Sequence, residues 1–167
     1  DVTRTIHLGH AAGTVSIGGN LLVITDNIRA ATVLGSTYNA NLSVTGNLTL
    51  TENSSGSAEI VSGSGDYTVG GNVNFGTGLY SASTGNLLEM TGASKSITTS
   101  GNGLYDFEVS AGSTTMIGAT TLAGSLTISG GALTAPSGGA LSVAGSFLNT
   151  GGTFTHNNST VSFTSSA

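Results

Sequence analysis

Asp106 and Glu108 are the closest pair of carboxylates in the chain. Paired carboxylates are what acid–base cleavage of a glycosidic bond, or the binding of a cation, would use. Their i, i+2 spacing puts both on one face of a strand, opposite Tyr105, Phe107 and Val109. The other acidic residues, Asp1, Asp26, Glu52, Glu59, Asp66 and Glu89, are scattered, and Lys95 is the one candidate base for such a site. The pair therefore reads as the solvated outer face of a strand whose other face is buried. His7 and His10 are close enough to share a metal, but no Cys or Asp completes a ligand set. With His156 they read as surface histidines. The nucleophile signature Gly-x-Ser-x-Gly is absent. Ser62-Gly63-Ser64-Gly65-Asp66 is similar to a glycine-rich calcium repeat, but no second copy follows, so it reads as a loop. Thr3/Thr5, Thr49/Thr51 and Thr153/Thr155 are pairs of the kind that line ice-binding faces. They do not recur one repeat apart, so no regular face of that kind is expected. No catalytic residue, metal or cofactor is assigned.

Whatever positions these residues is built from an unusual composition. Gly, Ser, Thr and Asn make up more than half of the 167 residues, and only 7% are charged. An ordinary soluble domain carries about 25% charge. So little charge, with glycine scattered throughout, argues against coiled coils and helix bundles. Glycine has no three-residue period and Pro136 is the only proline, which excludes collagen. Net charge −5, with Arg4, Arg29 and Lys95 as the only Arg and Lys residues, argues against binding to nucleic acid. The 37% hydrophobic content and positive mean hydropathy argue against disorder. Cysteine is absent, so disulfides do not stabilise the chain. No apolar stretch is long enough for a transmembrane segment.

One pattern recurs: an apolar residue, a spacer, Gly, Asn or Ser, then alternating apolar residues. Its marks are Gly19-Asn20, Gly46-Asn47, Gly71-Asn72, Gly124-Ser125 and Gly145-Ser146, with a degenerate copy at Gly101-Asn102. The glycines are separated by 27, 25, 30, 23 and 21 residues. A period of that size marks a solenoid. Between the marks lie runs that alternate with period two, such as Leu48/Leu50, Val73/Phe75, Phe107/Val109, Leu126/Ile128 and Val161/Phe163. The expected fold is all-β: a single-stranded parallel β-helix of about six or seven coils of 21–30 residues, without significant helix. It forms one domain over 1–167. A rod of that many coils is on the order of 30 Å long. Residues at one position of successive coils stack, so the Asn residues are expected to form an amide ladder that changes at Ser125 and Ser146.

The stretch from Leu122 to Phe163, and above all Gly151-Gly152-Thr153-Phe154-Thr155-His156-Asn157-Asn158-Ser159-Thr160-Val161-Ser162-Phe163, resembles the repeats of large secreted or surface-exposed prokaryotic β-solenoid proteins, including adhesin-like and autotransporter-like passengers. The resemblance implies the fold and an extracellular setting. It carries no catalytic residues, and it covers the last quarter of the chain well.

An extracellular or cell-surface location also fits the Thr-, Ser- and Asn-rich, charge-poor composition. Asn41, Asn47, Asn53, Asn157 and Asn158 begin Asn-x-Ser/Thr sequons and are candidate N-glycosylation acceptors there. The start at Asp1 points to a processed mature protein, a fragment or a sequence read from a specimen, and the strand patterns at the ends fit an excerpt of a longer solenoid. Neither terminus carries an amphipathic capping helix, and strand patterns run close to both ends, so both read as adhesive edges. The expected function is therefore non-enzymatic: a structural subunit of an extracellular filament or surface layer. The expected partner is the chain itself, joined end to end or by strand exchange. The alternative is an adhesin-type module that contacts glycans or cell-surface components. A polysaccharide-active enzyme ranks below both.

Overall fold

A computed structural model describes residues 4–7, 13–25, 31–34, 39–53 and 57–164, with the backbone alone for 4–7 and 31–34. The fold is an all-β parallel β-solenoid of about six turns, with no helix among the described residues. The first coil holds β1 (Arg4–His7), β2 (Thr14–Ile17) and β3 (Leu21–Ile24). The second holds β4 (Ala31–Leu34), β5 (Asn41–Val44) and β6 (Leu48–Thr51). Then come β7 (Ala58–Gly63), β8 (Tyr67–Val69) and β9 (Val73–Asn74), followed by β10 (Leu79–Ala82), β11 (Leu87–Met90) and β12 (Lys95–Thr98). The next turn has only β13 (Asp106–Val109) and β14 (Ser113–Ile117). The last turns hold β15 (Thr120–Leu122), β16 (Leu126–Ile128) and β17 (Ala132–Thr134), then β18 (Ala140–Val143), β19 (Phe147–Asn149) and β20 (Thr153–Thr155), and finally β21 (Thr160–Phe163).

Three faces result. The first is β1-β4-β7-β10, resumed as β15-β18-β21. Residues 102–104 link its two parts: Asn102 Oδ1 accepts the Tyr80 N–H, and Leu104 bridges to Leu122. The second face is β2-β5-β8-β11-β13-β16-β19, and the third is β3-β6-β9-β12-β14-β17-β20. Every pairing is parallel, because each coil brings the chain back to the same face in the same direction.

The coils are shorter than the glycine marks imply. Along the second face Val15 pairs with Leu42, Leu42 with Tyr67, Tyr67 with Leu88, Leu88 with Phe107, Phe107 with Leu126 and Leu126 with Phe147. The steps are 27, 25, 21, 19, 19 and 21 residues, and none is as long as 30.

Period-two alternation becomes a burial pattern. In β13, Phe107 and Val109 are buried while Asp106 and Glu108 face outward. In β6, Leu48 and Leu50 are buried and Thr49 and Thr51 are not. Stacked inward residues form one core, which Phe75 and Tyr80 strengthen by stacking at 4.5 Å. Tyr80 Oη donates to Asn86 Oδ1 at 2.7 Å, and Asn86 Nδ2 donates to the Gly65 carbonyl, so this buried polar group is satisfied. Burial pushes the hydroxyl pKa of both Tyr67 and Tyr80 well above the ordinary tyrosine value. For Tyr80 the proximity of Tyr67 adds to the rise, and hydrogen bonds with Ser62 and Asn86 partly offset it. No helix among the described residues is long and apolar enough to cross a membrane.

Candidate functional site

A three-faced coil has three corners, the first between the first and second faces, the second between the second and third, and the third where the chain returns to the first face, and the recurring Gly-Asn/Ser motif builds more than one of them. Gly19-Asn20, Gly46-Asn47 and Gly71-Asn72 stack at the corner between the second and third faces. The Asn47 N–H donates to Asn20 Oδ1 at 2.8 Å, and the Asn72 N–H to Asn47 Oδ1 at 2.8 Å. The Ser96 N–H continues the column to Asn72 Oδ1 at 2.9 Å. The expected amide-to-amide ladder is thus a side-chain-to-backbone ladder, in which each Oδ1 holds the main chain of the next coil. Close approach requires the glycine at Gly46 and Gly71, whereas a Cβ on Gly19 would meet nothing within 4 Å. A Cβ on Gly46 would overlap Asn20 Oδ1 and the Gly19 carbonyl, and one on Gly71 would overlap the Gly46 backbone.

The other marks stand elsewhere, and this corrects the single column expected of them. Gly124-Ser125 and Gly145-Ser146 turn from the first face to the second. There the Ser125 N–H donates to Asp106 Oδ1 at 2.6 Å, and the Ser146 N–H to Ser125 Oγ at 3.2 Å. Gly101-Asn102 lies at the third corner, where Asn102 also donates to the Gly78 and Thr99 carbonyls. The 30-residue separation between Gly71 and Gly101 is therefore one coil plus part of the next. Beyond Ser96 the second corner is turned by Gly112 and Gly131, both with positive φ.

Sequence reasoning missed three members of the first corner. Asn39 Oδ1 accepts the Ser64 N–H, Asn41 Oδ1 accepts the Asp66 N–H, and Asn86 supports Gly65. Asn39 and Asn41 do not follow a glycine, the signal that marked the others, whereas Asn86 follows Gly85 and carried that signal unread. Among the sequons, Asn41 and Asn47 are ladder residues. Asn157 and Asn158 sit in a turn with positive φ, where Asn157 Nδ2 donates to the Ala135 carbonyl and Asn158 is exposed. The Asn53 N–H is held by Thr25 Oγ1, while Ser54 and Ser55 lie outside the described residues.

The carboxylates divide by role. Asp106 is a corner acceptor. Glu108 stands beside Glu89 of the neighbouring strand, in register with it on the outer surface of the second face. Glu89 accepts from Thr68 Oγ1 at 3.1 Å and from Ser110 Oγ, and Glu108 accepts from Ser129 Oγ. Lys95 is around the corner on the third face, its aliphatic stem lying against Gly92. No three His, Asp or Glu side chains are grouped to hold a metal ion among the described residues. His156 is exposed, whereas the His7 side chain and all of His10 lie outside the described residues. Ser62 and Gly63 close β7 rather than forming a loop.

The two ends of the solenoid are the remaining candidate surface. β2 and β3 edge one end, with β1, and β19, β20 and β21 edge the other. Arg4 and His7 of β1 are the only ionisable side chains in these six strands, and none contains proline. Leu22 and Ile24 on β3, and Leu148 on β19, point outward and are about half exposed. Set against family models, curated proteins and solved structures, the chain matches none of them.

Proposed function

We propose that this protein is a non-enzymatic structural subunit of an extracellular filament or surface layer, assembling with its own kind through the solenoid ends. The carrying observation is the character of the edges. Natural sheets blunt exposed edges with charge, proline or bulges. Here β2, β3, β19, β20 and β21 have neither charge nor proline, and β3 and β19 present apolar side chains on both surfaces. A parallel edge of this kind offers main-chain donors and acceptors to another parallel strand. An asymmetric end-to-end contact does not close on itself, so it builds an open polymer. The extracellular, prokaryotic surface setting rests on the low-charge, hydroxyl-rich composition and on the resemblance of Leu122 to Phe163 to surface solenoid repeats. Light scattering over a concentration series tests the reading. A mean mass that keeps rising with concentration is expected, and a constant monomer mass would overturn it.

A second reading, an adhesin-type module, draws on the third face. Ser96, Thr115, Thr134 and Thr155 share one outward row on adjacent strands. No strand of that face contains an acidic residue, and Lys95 is its one charge. Rows of hydroxyls on a face with a single charge suit hydrogen bonding to a neutral glycan. Glycan binding by a non-assembling form, lost in Thr115→Lys/Thr134→Lys, would favour this reading over the first.

A further inference from the structure

Asn102-Gly103 is the one Asn-Gly pair in the chain. Asparagine followed by glycine is the dipeptide most prone to lose its side-chain amide. Glycine has no side chain to hinder attack by its own backbone nitrogen, and it lets the chain bend onto the amide. Other corner asparagines are followed by bulkier residues: Leu21 after Asn20, Leu48 after Asn47, Val73 after Asn72 and Leu87 after Asn86. Packing does not demand glycine at this position. Gly103 is exposed, its φ lies outside the left-handed region, and a Cβ on it would meet only the Thr121 carbonyl, at 4.0 Å.

Asn102 stands where the first face is interrupted. The turn that holds β13 and β14 has no strand on that face, and the Asn102 side chain takes the strand's place beside β10. Its Oδ1 accepts the Tyr80 N–H at 2.9 Å, and its Nδ2 donates to the Gly78 carbonyl at 3.0 Å. Those two groups flank Leu79 and are the pair that one residue of a parallel neighbour would engage. Nδ2 also donates to the Thr99 carbonyl at 2.8 Å, so both ends of the half-buried amide are in use. Two residues on, Leu104 bridges to Leu122 of β15, which resumes the face.

We propose that Asn102 is a deamidation site that the fold holds in check, and that its conversion parts the two halves of the first face. The Gly103 backbone nitrogen attacks Asn102 Cγ and gives up its proton. The N–Cγ bond forms, the Cγ–Nδ2 bond breaks, and Nδ2 leaves as ammonia. Water then opens the cyclic imide at either carbonyl, leaving aspartate or its isomer with the main chain routed through the side-chain carbon. In the native coil Nδ2 cannot depart without giving up its bonds to Gly78 and Thr99. After conversion the side chain has only acceptors. It then sets a negative charge against two carbonyls that have lost their donor, an unfavourable arrangement in a half-buried site.

Peptide mapping by mass spectrometry tests this on the full chain, held in mildly alkaline buffer with and without urea. In urea, Asn102 is expected to gain the mass of an amide-to-acid exchange ahead of every other Asn. In the folded chain its conversion is expected to be slower by about tenfold or more, as befits a step that needs the coil to open locally. When urea is removed, the fraction that fails to regain the native melt is expected to rise in step with conversion. Gly103→Ala is expected to melt like the wild type, to keep Asn102 intact in urea over the same time, and to refold in full. Equal rates with and without urea would overturn the protection. Converted chains that melt like fresh ones, or a loss of refolding shared by Gly103→Ala, would overturn the parting of the face. Should Gly103→Ala not melt like the wild type, Asn102→Asp carries the test. It is expected to unfold at a lower denaturant concentration than the wild type, and an equal midpoint would overturn the proposal.

Discussion

The Oδ1 atom of Asn47 accepts the main-chain N–H of Asn72, 25 residues further along the chain, at 2.8 Å. One short side chain thereby fixes the vertical register of two coils. Replacing Asn47 with Ala removes that acceptor, at a net cost of about 0.5–1.5 kcal/mol. Asn47→Asp keeps an oxygen in place and is expected to cost less. Denaturant melts of the two variants measure the difference, and equal losses would mean that the contact does not set the register.

Glycines at the corners are not equivalent. A Cβ on Gly71 would overlap the Gly46 backbone, whereas one on Gly18 meets nothing within 4 Å, and neither position has positive φ. Gly71→Ala is expected to destabilise by about 1–3 kcal/mol, the usual range for overpacking. Gly18→Ala is expected to be neutral or slightly stabilising, since it restricts only the unfolded chain. A comparable loss for both would contradict the close stacking of the corners.

Asp106 separates structural from chemical use of a carboxylate. Its Oδ1 accepts the Ser125 N–H at 2.6 Å. Asp106→Ala is expected to lower stability by about 1.5 kcal/mol, the low end for a bond to a charged acceptor, since the site is half exposed. Asp106→Asn keeps the acceptor and is expected to recover most of that loss. Chemical denaturation of both variants checks the order, and an Asn variant as unstable as the Ala variant would contradict it.

The strands were legible in the sequence, and the corners were not. Pairs such as Phe107/Val109 and Leu126/Ile128 announce their inward faces by alternation, because a strand's side chains have period two. Gly-Asn and Gly-Ser, by contrast, say only that one strand ends and another begins. Gly71-Asn72 and Gly124-Ser125 look alike in sequence yet turn at different corners, so counting from one to the next overstates the coil. The same overestimate hid the neighbour of Glu108. Glu89 lies 19 residues earlier, shorter than any expected coil, and register alone places the two side by side. Offsetting Leu88/Met90 against Phe107/Val109 would have revealed it.

Buried tyrosines predict a response to alkali. Tyr67 and Tyr80 titrate well above the ordinary value because burial disfavours the charged phenolate, with mutual proximity adding to the effect at Tyr80. A pKa raised in the folded state means that the native chain holds the proton after the unfolded chain has lost it. Stability from this source is fully present below about pH 10, the ordinary tyrosine value, and falls as pH rises beyond it by about 1.4 kcal/mol per pH unit per group. Spectrophotometric titration is expected to show these two of the four tyrosines ionising together with loss of the fold. Smooth ionisation of all four in a chain that stays folded would contradict their burial.

The central claim is that parallel solenoids of this chain stack end to end. Electron micrographs of the concentrated protein, with their diffraction patterns, test it most directly. The account predicts unbranched filaments one solenoid wide, with the strand repeat of about 4.7–4.9 Å lying along the filament axis, that dissolve on dilution to folded monomers. Isolated particles at every concentration, or filaments whose strand repeat does not lie along the axis, would contradict it.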